Sequence, residues 1–521
     1  MNESYSKQPM IDQRFGAADE HDAMMKDSLK SQEFEGKSAA AVGRWLALEQ
    51  REMMRRLLQS HFSQAGLQVA ITPVVGADGA PRTHVRAGAM RQNETLFGTV
   101  GLERTAHSGR GLSALHPVDA SLNLPATSYS HEVERQVAKL ASKMSFDATM
   151  QTMADLTGAH VPKRQAEQLV QHSAKDFEQF YNGTWFETTG VQSELLVLTY
   201  DQKGVVLRKE DLKEATRKAA ENSKKKMDTR QSKGEKLGRK RMATVAAVYT
   251  IGPHLRTAEE IIAGLRHLHD TTIKSPPRPE NKRVWASLTE ALREVVAAGF
   301  DEAEKRDPER KKRWLVLIDG DAKLERWVRE EAKQRGIEVT IVLDFIHALE
   351  YLWRAAHAFF DESTPEIEKW VLERLLKMLD GKISNVVAGM RRMATVRELT
   401  KKERAPVDKA ANYLLKRKAL MRYDKLLDIG APIARGVIEG ACRHLICDRL
   451  DITGARWRLP SAEAVLRLRS LISSGDFDAY WEFHEQEEAR RNHASNYADG
   501  KVPPVEMPKR KAHLRLVGGV V

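Results

Sequence analysis

Two short apolar runs dominate the pattern of the chain's second half. Leu315-Val316-Leu317-Ile318 ends on Asp319-Gly320-Asp321. Val339 to Leu343 ends on Asp344 and passes straight into a helical pattern that carries His347. Apolar runs of this length, closed by a carboxylate, predict buried strands. Adjacent strands that both stop on acids predict a site at the carboxyl edge of an open α/β sheet. By themselves the same residues fit a plainer reading, with Asp319 opening a turn and Asp344 capping a helix.

Upstream the pattern is mainly helical. Residues 1–37 are polar and mixed in charge, which predicts disorder. Within 38–125, a helix is expected over Ala39 to Phe62, with Trp45, Leu46, Leu48, Met53, Met54, Leu57 and Leu58 as its apolar positions. Short strands are expected at 69–71 and 96–100. Residues 126–190 predict helices over Ser130 to Met144, Phe146 to Leu156, and Val161 to about Phe180, with Thr157-Gly158-Ala159-His160 as the break. Two helices joined by a short Gly-containing turn match a helix-turn-helix. Pro162 suits a first helical turn. Lys163, Arg164 and Gln165 then fall where a recognition helix meets base edges or phosphates. A plain helical bundle fits this stretch as well.

Residues 191–344 predict an α/β sheet with a leading meander. Leu195 to Tyr200 reads as a strand ending on Asp201, Gln202-Lys203-Gly204 as a hairpin turn, and Val205 to Leu207 as the return strand. Residues 208–241 are dense in charge, with Lys224-Lys225-Lys226 and Arg239-Lys240-Arg241 as peaks. They predict either a phosphate-contacting excursion or a solvated helix. A strand over Ala243 to Ile251 follows, then helices over Thr257 to His269 and Trp285 to Ala298. After the strand ending at Asp319 come a helix over Ala322 to Gln334 and a strand over Ile337 to Leu343. Residues 345–430 are helical throughout, with helices over Pro365 to Leu379, Ile383 to Leu399 and Pro406 to Leu426, and read as an insertion. Residues 431–485 return to the α/β part, with Glu439 on a helix over Ile433 to Arg449 and a last helix over Ser461 to Ser473. Residues 486–521 form a basic, loose tail.

Charge adds a partner to this picture. The 84 Lys and Arg outnumber the 72 Asp and Glu, for a net charge of +12, which points to polyanions and above all nucleic acid. Cys442 and Cys447 are the only cysteines, which excludes a disulfide framework and a Cys-rich zinc module. No apolar run approaches the roughly 18 residues that cross a bilayer. Met1 to Lys37 has no signal-peptide core, so a reducing cytoplasm is the expected setting.

Three carboxylates now form a candidate set: Asp201, Asp319 and Glu439, spaced 118 and 120 residues apart. Only a fold could assemble them. Phosphoryl transfer with two divalent ions is the chemistry that needs such a trio, because Mg²⁺ prefers oxygen ligands and keeps several waters. A metal pair can serve both the attacking and the leaving oxygen of an in-line displacement.

These blocks resemble the DDE transposases of the Mutator-like superfamily, most closely the ISKra group of bacterial insertion-sequence transposases. The resembling residues are Asp201 with Lys203-Gly204; Leu317-Ile318-Asp319-Gly320; Asp344-Phe345-Ile346-His347 with Leu349-Glu350-Tyr351-Leu352-Trp353; Gly436-Val437-Ile438-Glu439-Gly440; and Ile452-Thr453-Gly454-Ala455-Arg456-Trp457. Gln202 stands where that family usually has glycine. The resemblance implies an α/β RNase H-like catalytic domain with an all-helical insertion, preceded by a mainly helical region containing the helix-turn-helix-like segment. It implies that Asp201, Asp319 and Glu439 are catalytic and hold two Mg²⁺ (or Mn²⁺) ions, with Asp344 and His347 as a supporting signature. Asp344 as the second metal ligand, with Asp319 structural, stays open. The implied partners are double-stranded DNA, as terminal inverted repeats and as target, and further copies of the chain, since two ends must be paired. The implied location is the nucleoid-associated bacterial cytoplasm. Two other readings fit the residues: an RNase H-like nuclease or resolvase without strand transfer, and a non-catalytic helix-turn-helix DNA-binding protein.

Overall fold

The apolar run at Leu195 continues straight past the turn expected at Gln202-Lys203-Gly204. In the computed structural model, which describes residues 13–183, 193–222, 240–265, 275–362, 364–452 and 454–508, strand β1 spans Leu195–Val206. It pairs with β2 (Lys240–Ile251) in one unbroken antiparallel register, from Leu195 opposite Ile251 to Val206 opposite Lys240. The hairpin expectation is therefore corrected, and Asp201 lies inside a strand. Lys203 and Gly204 look like turn residues because that half of β1 is more exposed, not because the chain reverses.

The chain divides into two compact units, Met1–Phe180 with Asp478–Val521, and Tyr181–Phe477. The second unit is built on five strands in the order β3-β2-β1-β4-β5, where β3 is Glu280–Ser287, β4 Arg313–Ile318 and β5 Val339–Leu343. The β1–β2 and β2–β3 pairs are antiparallel, whereas β1–β4 and β4–β5 are parallel. Parallel neighbours need crossovers, and the helices α1 (Leu292–Arg306) and α2 (Ala322–Arg335) supply them. The helix expected from Trp285 is another correction. Val284 to Ser287 are buried in β3, and the helix starts only at Leu292, where the Glu294 carboxylate accepts the Ala291 N–H at 2.6 Å.

Side chains on a strand alternate between faces. Tyr200 turns to α1, where its hydroxyl donates to the Val296 carbonyl at 3.2 Å and the missing Cβ of Gly299 makes room for its ring. Asp201 therefore turns to the opposite face.

After β5 the chain is helical to residue 428: α3 (Phe345–Ala356), α4 (Pro365–Leu379), α5 (Ile383–Val396), α6 (Lys401–Lys416) and α7 (Tyr423–Asp428). α6 begins five residues before the expected Pro406, because Thr400 and Glu403 form a reciprocal capping box. Helix α8 (Gly436–Ala441) runs on into a π-helical stretch, Cys442–Cys447, and packs against β1 and β2, while α9 (Leu459–Ser474) packs against β3.

The first unit contains a helix, Gly16–Lys30, within the stretch expected to be disordered, and a long helix, Ala39–Gly66. An antiparallel meander follows: His84–Thr95, Gly98–Gly109 and Leu112–Leu115. Leu96 and Phe97 form its first turn, not a strand. Helices His131–Lys143, Phe146–Leu156 and Lys163–Ser173 pack on one another in all three pairs. Pro162 stands before the third helix as its extended cap, outside the first turn where it was expected. A helix that was not expected, Phe477–Asn492, runs from the end of the 431–485 stretch into the supposed loose tail, which also contributes a short strand, Val505–Glu506, paired with Val69–Ala70.

Candidate active site

Strand register places the acids. Thr199 pairs with Leu317, and Leu317 pairs with Val342. Two residues further on, Asp201 lies inside β1 while Asp319 and Asp344 lie one residue past the ends of β4 and β5, and the register continued that far sets the three acids level. Neighbouring strands lie about 4.8 Å apart, so the sheet itself brings these three acids side by side.

Their surroundings then separate them. Asp344 is 1% exposed. One carboxylate oxygen caps α3 by accepting the Ile346 N–H at 3.1 Å, and the other takes the Arg435 Nε–H at 3.1 Å. Arg435, 6% exposed, also donates from Nη1 to the Tyr200 carbonyl at 2.9 Å, which ties the start of α8 to β1. Burial works against the Arg435 charge, but Asp201, Asp344 and Asp319 outweigh it and raise the guanidinium above its ordinary value.

Asp201 and Asp319 are half-buried. Asp201 accepts the Gln202 N–H at 2.7 Å and a weak bond from the Cys442 thiol at 3.5 Å. Burial, followed by the Asp201 charge, pushes that thiol well up, so Cys442 stays protonated as a donor. Asp319 accepts the Asp321 N–H at 2.8 Å, and Asp321 caps α2.

The turn after Asp319 is clamped from the helical insertion. Tyr413 on α6 donates its hydroxyl to the Asp319 carbonyl at 2.9 Å, and Arg417 donates from Nε to the Gly320 carbonyl at 2.9 Å. Gly320 has a φ of +84°, and a Cβ there would collide with Tyr413 and Arg417. Tyr413 is itself stacked on Tyr351 of α3, with ring centroids 3.7 Å apart and planes 9° apart.

Glu439 sits on α8, which packs against β1 and β2. It is exposed as a residue, yet partial burial of its carboxyl, then Asp344 and Asp201, raise it above the usual carboxylate range against the pull of Arg435. The three candidate ligands thus share one electrostatic neighbourhood. They are not among the described groups whose ligand atoms all lie within 4.8 Å of one another.

His347 is half-buried beside this site, 3.7 Å from the Glu350 carboxylate and with its ring 6.0 Å from that of Tyr413. Arg435, Tyr413 and Arg417 were not among the residues expected at the site. The available signal for Arg435 was a lone arginine directly before the Gly436 to Gly440 block.

Among the candidate DNA-binding residues, Lys163, Arg164 and Gln165 are exposed at the start of their helix, with Lys163 paired to Asp147 at 2.7 Å. Lys240 opens β2 and pairs with Asp451 at 2.9 Å. Arg241 is spent on the Leu288 and Asp211 carbonyls, at 2.8 and 3.3 Å. Lys224, Lys225, Lys226 and Arg239 lie outside the described residues. Among the described residues, no helix is long and apolar enough to cross a membrane.

No protein-family model matches the chain, and no curated protein matches it. Among solved structures, it is similar to the Drosophila P element transposase strand transfer complex, at 11% identity over 69% of this chain and 81% of that one, with a TM-score of 0.24.

Proposed function

We propose that the chain is a DDE-type DNA transposase of the Mutator-like kind. Its RNase H-like sheet would cut insertion-sequence ends and join them to target DNA. The observation that carries this is the level placement of Asp201 and Asp319 on adjacent parallel strands, with Glu439 on a helix packed over that sheet. The strand order, three antiparallel strands followed by two parallel ones, supports an RNase H-like domain interrupted by the helical block after β5.

The donor set fits hard divalent cations. It consists of carboxylates alone, the acids are partly exposed so that waters can complete the shell, and the nearest buried cation, Arg435, is already bound to Asp344. Asp201, Asp319 and Glu439 would hold Mg²⁺ or Mn²⁺, and Asp344 would not. Bound there, the ions supply activation of the attacking oxygen and charge stabilisation of the leaving one. The chain's own residues do the positioning. Tyr413 and Arg417 fix the backbone that presents Asp319, and Arg435 holds α8, and with it Glu439, against β1. The +12 net charge and the exposed start of the Lys163 helix suit a DNA partner, and pairing two ends calls for more than one copy.

The test uses the purified chain with duplex DNA carrying the inverted repeats that flank its gene. The expected result is Mg²⁺-dependent nicking and joined products, both lost in Glu439→Gln while DNA binding persists. Cleavage unchanged by Glu439→Gln refutes the proposal. Nicking that never yields a joined 3′ end replaces it with a nuclease.

A further inference from the structure

The first unit buries a second cluster of ligand-type side chains that the proposed function does not use. Glu134 on helix His131–Lys143, His172 on Lys163–Ser173 and His484 on Phe477–Asn492 each offer one ligand atom, and these atoms lie within 4.8 Å of one another. Glu134 and His484 are both 0% exposed.

Two atoms in this cluster have no partner. His484 places Nδ1 2.7 Å from the Asp176 carboxylate, while its Nε2 is buried without a hydrogen bond. A histidine that donates from one nitrogen to a carboxylate presents a lone pair on the other, which is how metal-ligating histidines are oriented. Glu134 uses Oε1 to accept from Thr127 at 2.7 Å, and its Oε2 is likewise buried and bare. Native interiors rarely leave such acceptors unmatched. Two of them meeting beside a third ligand call for a cation.

The charges agree. Glu134, Asp176 and Glu488 face Lys175, which pairs with Glu488, and Arg491, which pairs with Asp176 and Glu488. With Glu134 ionised and the histidines neutral, three carboxylates against two cations leave one negative charge over, and the burial that raises the Glu134 carboxyl is what a bound cation would offset. His172 is only half-buried, which gives a route inward; its Nε2 lies 3.0 Å from Glu488 and its Nδ1 3.4 Å from the Lys175 ammonium, so it joins an ion by exchanging one of these contacts, with Glu488 as a further oxygen donor.

We infer that Glu134, His172 and His484 form a structural site for one zinc ion, with Asp176 as the positioning carboxylate behind His484. Two imidazoles and a carboxylate are a ligand set that zinc takes. A bound ion would pin two helices of the helix-turn-helix-like segment to the Phe477–Asn492 helix.

The experiment strips the full chain with chelator, reloads it with Zn²⁺ in excess Mg²⁺, and counts metal retained after gel filtration. Co²⁺ in place of Zn²⁺ reports the ligand field by its visible absorption. The expected result is one Zn²⁺ per chain, a tetrahedral Co²⁺ spectrum, and a higher melting temperature with zinc. His172→Asn, at a half-exposed position, and Glu134→Gln, a near-isostere, should each weaken binding at least tenfold with unchanged circular dichroism. Asp176→Asn should weaken it by about 10- to 100-fold. The double variant Asp319→Asn with Glu439→Gln should retain zinc in full, which separates this site from the candidate active site. Failure to retain zinc overturns the inference. So does wild-type affinity in both His172→Asn and Glu134→Gln, or loss of zinc only in the Asp319/Glu439 variant.

Discussion

Asp319 and Asp344 end neighbouring parallel strands at the same level, yet they finish in opposite chemical situations. Asp344 is buried, caps a helix and meets a buried guanidinium, so its charge is matched on the spot. Asp319, with Asp201 and Glu439, is less buried and feels Arg435 only at a distance, with no ion pair of its own among the described residues. Identical position on a sheet does not make identical function. What separates the two is whether the fold itself neutralises the carboxylate or leaves that to something bound.

The largest effect expected from this contrast is on activity. Asp319→Asn or Glu439→Gln should lower Mg²⁺-dependent cleavage by about a thousandfold, the loss of several kcal/mol of charge stabilisation. The melting temperature should hardly move. A variant that unfolds instead would place Asp319 with Asp344 among the structural acids.

Asp344→Ala should act the other way, through stability. Removing one partner of a buried pair strands the other charge, at about 3–5 kcal/mol, readable as a fall in the urea midpoint. The double variant Asp344→Leu with Arg435→Leu should lose less than the two single changes added together. Unchanged stability in Asp344→Ala would erase the distinction.

Tyr413→Phe sharpens the contrast on the Asp319 side. It deletes one hydrogen bond to the Asp319 carbonyl, worth about 1 kcal/mol, and keeps the stacked ring. Cleavage should fall severalfold with DNA affinity unchanged. Equal losses of cleavage and of DNA affinity would make Tyr413 a DNA contact.

The smallest effect concerns pH. The Glu439 carboxyl is raised, by its partial burial first and then by Asp344 and Asp201. A raised group contributes its full stability below its unfolded value and loses it as pH rises through the folded one. Glu439→Gln should therefore melt slightly higher than wild type at neutral pH, and the gap should close below about pH 4. A gap that widens on acidification would contradict the raised carboxyl.

The strand tips at Asp319 and Asp344 were legible because unbroken apolar runs closed by an acid have few other meanings. β3 was not, because it is an edge strand that begins Glu280-Asn281-Lys282, all exposed, and its Trp285 resembles a helix face. The local structure at Asp201 was misread, since Lys203-Gly204 mimics a turn in a strand supported by pairing with a segment about 40 residues on. Arg435 and Tyr413 act on residues 91 and 94 positions away, a relation no local pattern carries. In the first unit, His484 and Glu488 have the spacing of one helix face, but the helix that holds them was not expected at all.

The central claim is that Asp201, Asp319 and Glu439 share bound divalent ions while Asp344 supports them. Iron(II) in the Mg²⁺ site, with ascorbate, cuts the backbone beside its ligands, so mapping the fragments of the wild-type chain tests the claim directly. Cuts clustered beside Asp201, Asp319 and Glu439, suppressed by excess Mg²⁺, are the predicted result. Mg²⁺-suppressible cuts at Asp344 with none at Asp319 would contradict it.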